Sequence, residues 1–473
     1  MKTFIALASC LLGGCTSVST TPAQAPPAYA AVPVLAAERP AATQPAASAM
    51  PAAPPTPATP ATTAEEAPPA TPATAVRSAS DLAIVGAFHG LFQQWIDERV
   101  VLDPDWATRI GRHEHDGELT RFDDAAWQAR AELASRTLAA LEALPVAALA
   151  PEEALDWRLF RSQLRVESHE FARRDLRTLA PALALDGVAA VNDLLIRDFA
   201  PREERAAHAV ARLAALPAVC ADLRATLARP PKVWTDMAIA DTAGALQFLD
   251  SVPALAGETP GLPAALDAAR AALGAYATFL KTELLPRSDG DFALGRAEFD
   301  WLLHEGFLLG PEMDAPALLA LGQRQFDLTL GLLEETAARI APGRDWRALL
   351  AEMMEQHPTA ATLMDSYRAE VARSRQFLID HHVVGIPAET LQIRETPEFM
   401  RSAVPFAAYD SPAPLDASRL GTFFVTPVPE AHILSDIPGT AWHEAYPGHH
   451  LQLVYAKDNP SLVRRLNSSP LLS

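Results

Sequence analysis

The chain has 473 residues, and 39 Lys and Arg stand against 58 Asp and Glu, a formal net charge of -19. Hydrophobic residues make up 49%, enough for a large core. So acidic a balance argues against nucleic acid as a partner, because phosphate recognition needs clustered cations; a solvated acidic surface accounts for the balance.

Residues 1–15 read as an export signal. Lys2 supplies the positive start, and Phe4 to Leu12 is an apolar run too short to span a bilayer. Leu12-Gly13-Gly14-Cys15 resembles a bacterial lipobox, which makes Cys15 the expected lipidated residue. Thr16 in place of Asp points to the outer membrane. The expected location is the cell envelope, with the protein facing the periplasm and held to the membrane by its lipid alone. Residues 16–78 are Ala, Pro and Thr with few large apolar side chains. Pro lacks a helix donor and so little apolar surface cannot offset chain entropy, so a disordered tether is expected. No later segment reads as long and apolar enough to cross a membrane. Of the three cysteines, Cys10 and Cys15 lie in the leader, so Cys220 is left without an intramolecular partner and its apolar neighbours predict a buried thiol.

From about Ser80 the pattern is helical. Asp123-Asp124 open a periodic run through Leu144, and Pro151-Glu152-Glu153 open another with Leu155, Leu159 and Leu164 apolar. Further helices fit residues 202–228, 262–285, 314–340 and 345–382, with Pro and Gly between them. Leu391-Gln-Ile-Arg-Glu and Gly421-Thr-Phe-Phe-Val-Thr-Pro predict two short strands. Strands and helices do not alternate as a parallel sheet needs. The expectation for residues 80–473 is one mostly α domain with a small β element beside a site helix.

The chemistry concentrates at His443-Glu444-Ala445-Tyr446-Pro447-Gly448-His449-His450. A zinc hydrolase needs two or three protein ligands, an open position for water, and a base. The usual helical solution is His-Glu-x-x-His, because residues four apart sit about 40° apart around the helix and roughly 6 Å along it. Here position 447 is Pro. In a straight helix His449 would point about 120° away from His443, and His450 would lie about 10 Å along the axis. The spacing works only if the helix breaks. Pro447 removes the N–H that would bond to the carbonyl of His443, and Gly448 permits an unusual turn.

The run 443–452, His-Glu-Ala-Tyr-Pro-Gly-His-His-Leu-Gln, closely resembles the domain-of-unknown-function 885 family of bacterial proteins. That family in turn resembles a divergent branch of the zincin metallopeptidases. Asp103-Pro104 through Gly111, Gly295 to Leu302, and Pro397-Glu398-Phe399-Met400-Arg401 running on to Tyr409-Asp-Ser-Pro match its style, so the likeness covers roughly residues 85–473. The resemblance implies a zincin-like helical fold and a zinc ion held by His443 and His449, with His450 ranked behind His449 as the alternative metal ligand. It also implies Glu444 as general base and Tyr409 or Tyr446 as oxyanion stabiliser. A third ligand, a Glu in a Glu-Gly-Trp-Ala-Leu-Tyr segment, is expected on a later helix. After Glu444 the sequence offers only Asp458 as a carboxylate. The domain is therefore expected to be incomplete at its C-terminus and to expose apolar surface.

Other histidines have simpler readings. His113-Glu114-His115 fits a solvated loop, His304-Glu305 lacks a following His, and His381-His382 suits a helix C-terminus. Glu430, His432 and Asp436 are minor candidates for the missing ligand. No Gly-x-Ser-x-Gly, Walker or Gly-x-Gly-x-x-Gly motif occurs. The functional expectation is an exported zinc-dependent peptidase or amide hydrolase acting on peptides, impaired by loss of the third ligand. The competing expectations are a truncated inactive pseudoenzyme and a peptide-binding lipoprotein.

Overall fold

The computed structural model describes residues 78–397, 400–401 and 404–466. The export signal with Cys15, and the tether up to residue 77, lie outside these residues. So do Glu398, Phe399 and the stretch 467–473.

Helix α1 (Ala79–Leu102) starts at a reciprocal cap. The Ser78 side chain accepts from the Asp81 N–H, and the Asp81 carboxylate accepts from the Ser78 N–H. Helix α2 (Pro104–Ile110) is capped by Asp103 and ends at Gly111, whose φ of 89° suits the left-handed cap. Helices α3 (Asp124–Glu142) and α4 (Pro151–Arg173) pack on them. Phe92, Trp95, Trp106 and Phe160 form the aromatic centre of that group. Helices α5 (Leu183–Ile196), α6 (Arg202–Thr226), α7 (Lys232–Ala256) and α8 (Leu262–Phe279) form a second apolar cluster. The sequence reading did not delimit α5 or α7. Helix α7 carries Pro253 in its last turn.

Helix α6 corrects one expectation. By length and composition it could cross a membrane. Its Leu213, Leu216, Val219 and Leu223 are instead fully buried against neighbouring helices, so it is a core helix. Cys220 on the same face is buried, and burial pushes its thiol up to about 11.

The short helix α9 (Arg296–Trp301) leads to α10 (Ala315–Ile340). Helix α10 is exposed along most of its length, with Leu319 at 74% and Phe326 at 63%. The single helix expected over 345–382 is two, α11 (Trp346–Met354) and α12 (Leu363–Asp380). Pro358 lies between them and cannot continue a helical ladder.

The β element has three strands, one more than expected: β1 (Thr390–Glu395), β2 (Ala407–Asp410) and β3 (Leu420–Val425), in the order β1-β3-β2. Strands β1 and β3 run parallel, and β2 pairs antiparallel with β3. Alternation sorts their side chains. Ile393, Phe423 and Val425 pack on α12 and on α13 (Ile437–Glu444), in a third cluster with Tyr446 and Leu451. Gln392, Thr422 and Phe424 face the other way. Helices α14 (His449–Lys457) and α15 (Leu462–Leu466) follow, and α15 returns Val463 and Leu466 to the α1–α4 cluster. The fold is mostly α with a small sheet beside the helix that bears His443.

Candidate functional site

The helix break expected at Pro447 is present. Helix α13 ends at Glu444, and α14 begins at His449. Gly448 makes the connection possible, because a Cβ there would collide with the carbonyl oxygens of His443 and Trp442. The re-started helix is tied back by Leu451 N–H to Ala445 O at 3.3 Å. The reversal brings His449 beside His443. Their rings meet edge to face, centroids 4.5 Å apart and planes at 80°.

Glu444 shares this end of α13 and is partly buried. Burial raises its carboxyl above the ordinary range, against the pull of His443 and the backbone N–H of Tyr409 on β2. His443 is exposed, whereas His449 is half-buried. Burial, and then the neighbouring His443, hold His449 below the usual imidazole range.

His450 faces away from this pair. It is fully buried, its Nε2 lies 3.0 Å from a carboxylate oxygen of Glu389, and its Nδ1 lies 3.0 Å from the Tyr409 hydroxyl. With Nε2–H donating to Glu389, Nδ1 accepts from the hydroxyl of Tyr409. Both ring nitrogens are thus engaged by protein groups. Tyr446 packs against His450 with ring centroids 5.3 Å apart, and its hydroxyl bonds to Glu389. It therefore belongs to the same buried network as His450 and Glu389. The Tyr409 hydroxyl is directed at His450 in this state. Glu389 is the centre that sequence reasoning missed. Burial opposes its charge, but hydrogen bonds from His450, Tyr446 and Arg375 outweigh it and hold the carboxyl below the ordinary range. A lone Glu ahead of a strand carries no local signal for such a role.

Elsewhere, His113 is no solvated loop residue. It stacks on Phe199 and bridges Asp116 and Asp416, both at 2.9 Å. His115 bonds to Glu118 near the surface. Glu305 pairs with Arg165 and Arg161, and His381 caps α12. His432 is buried with Nδ1 on the Tyr367 hydroxyl and Nε2 on the Thr426 carbonyl, so it is not free to replace a ligand.

Zinc takes imidazole and carboxylate donors, and a catalytic site uses three protein ligands with one position open. The His443–His449 pair fits the imidazole part of that set, with Glu444 adjacent. Among the described residues no group of three or more His, Cys, Asp or Glu is placed to hold one ion.

The family described as "Bacterial protein of unknown function (DUF885)" matches residues 104–470. No curated protein matches the chain. Among solved structures, a candidate lipoprotein of unknown function from Shewanella oneidensis is similar with a TM-score of 0.63 and 22% identity, covering 81% of this chain and 74% of that one. One from Colwellia psychrerythraea is similar with a TM-score of 0.61 and 13% identity, covering 80% and 73%. At these identities the likeness is one of fold.

Proposed function

We propose a function from one premise: this chain belongs to the DUF885 family of bacterial proteins of unknown function. The proposed activity is hydrolysis of peptide or related amide bonds, dependent on zinc held by His443 and His449, in an envelope lipoprotein lipidated at Cys15. The carrying observation is the approach of those two imidazoles beside Glu444, across the helix break at Pro447 and Gly448. The solved relatives described as candidate lipoproteins support the location.

Zinc, when bound, would supply Lewis-acid polarisation of the scissile carbonyl. Glu444 would take the proton of the attacking water and pass it to the leaving amine. Burial of Glu444 favours the first half of that transfer, because a carboxylate drawn toward the neutral form accepts a proton readily. Tyr409, swung from its bond with His450, would donate to the developing oxyanion. The Glu389–His450 pair holds Tyr409 beside the site until then.

The test is zinc content together with peptide hydrolysis by the purified full chain. The expected outcome is metal binding that His449→Ala removes, and hydrolysis that Glu444→Gln abolishes without loss of metal. A protein that neither takes up zinc nor cleaves amides would sink this reading. Because only two imidazoles converge among the described residues, a peptide-binding lipoprotein without catalysis is the second reading. Peptide binding by a metal-free, inactive protein would favour it.

A further inference from the structure

On the side of the sheet away from His443 lies a cavity of about 570 Å³. Its floor is the outward-facing set of the strands, including Gln392, Thr422 and Phe424, and its wall comes from α5 and α7. This size suits a small organic ligand.

The wall is chemically unfinished. Asn192 on α5 is 7% exposed, and its Oδ1 has no hydrogen-bond partner. Arg197 pairs through Nη2 with Asp410 at 3.1 Å, yet its Nε and Nη1 are buried without partners. Both residues line the cavity. Buried polar groups are normally satisfied, so the unpaired acceptor of Asn192 and the two unpaired donors of Arg197 leave room for a partner that is not protein.

The lining selects the ligand. Five carboxylates and two guanidiniums face the space, so an anion is repelled. A simple amine would suit the carboxylates but offers Arg197 no acceptor. An apolar molecule would leave every polar group unpaired. A hydroxyl donates and accepts, so a neutral polyol serves Asn192 and Arg197 together. Phe424 and Pro412 supply apolar surface for the carbon-bound hydrogens of a ring. We infer that this cavity is a saccharide-binding site, floored by the sheet and centred on Asn192 and Arg197. It is a separate site from the His443–His449 pair and does not rest on the metal reading.

The test is calorimetric titration of the purified full chain with cellobiose and with N,N′-diacetylchitobiose, against putrescine, acetate and dialanine. At least one disaccharide is expected to bind with Kd below about 1 mM. Asn192→Leu should weaken binding at least about tenfold, a change of about 1.4 kcal/mol. Ala254→Trp, at an exposed position on the cavity rim, should do the same without disturbing the fold. Glu444→Gln should leave binding unchanged. The inference is overturned if neither disaccharide binds up to about 10 mM, if binding survives both cavity substitutions, or if a control ligand binds in preference.

Discussion

The hydroxyl of Tyr409 occupies the space where a side chain on Gly421 would begin. Tyr409 stands opposite Phe423, so its ring lies diagonally over Gly421 and reaches His450 beyond. Gly421→Ala is expected to push Tyr409 off His450 and to cost about 1–3 kcal/mol in denaturant unfolding, as overpacking does. Tyr409→Phe should relieve part of that strain in a double mutant, since the hydroxyl is the nearest atom, while itself leaving His450 Nδ1 unpaired. If Gly421→Ala matches the parent in stability, the packing argument is wrong.

The same reasoning applies to the turn at Gly448. A methyl group there meets two carbonyl oxygens, and neither belongs to a flexible side chain. Gly448→Ala is expected to separate His449 from His443 and to lower zinc affinity by at least about tenfold. Competition with a colorimetric chelator reads this directly. An unchanged affinity would show that the ring pair does not hold the metal.

Arg212 is a fully buried cation between three helical segments and a loop. It donates to the carbonyls of Glu118, Ala190 and Pro104 and to the Thr108 hydroxyl. Arg212→Met should cost about 3–5 kcal/mol, because it strands buried carboxylates and carbonyls. Urea unfolding followed by circular dichroism gives the number.

His113 ties the loop after α2 to the loop between β2 and β3. Burial disfavours its charged form, but Asp116 and Asp416 outweigh burial and push it up to about 9 from the ordinary 6.5. A raised folded pKa gives stability that is fully present below about 6.5 and is lost as pH rises through about 9. Stability measured from pH 6 to pH 10 should fall over that window in the parent and fall less in His113→Gln.

Helix α10 should tolerate change on its open face. Phe326→Gln and Leu332→Gln, at positions 63% and 64% exposed, are each expected to alter stability by less than about 0.5 kcal/mol. Phe160→Ala in the closed α1–α4 cluster should cost about 3–5 kcal/mol. Binding of an apolar dye should fall in the α10 variants. Large losses there would mean the face is covered in solution.

Local signals were enough for much of the architecture. Apolar spacing and caps foretold α3, α4, α6, α8 and α10, because helical period and end chemistry are written within a few turns of chain. β1 and β3 were legible for the same reason, whereas β2 is four residues long and has no alternation to read. Pro447 and Gly448 announced a break, since a missing N–H and a missing Cβ act on their immediate neighbours. Which histidine the break delivers to His443 was a question of tertiary geometry. His449 lands against His443, while His450 is drawn to Glu389, sixty-one residues earlier. Arg212, His113 and the Asn192–Arg197 cavity were invisible in one dimension, because each depends on groups brought together from distant segments. Sequence determined where the backbone must bend at 443–450; only packing decided what each side chain meets once it has bent.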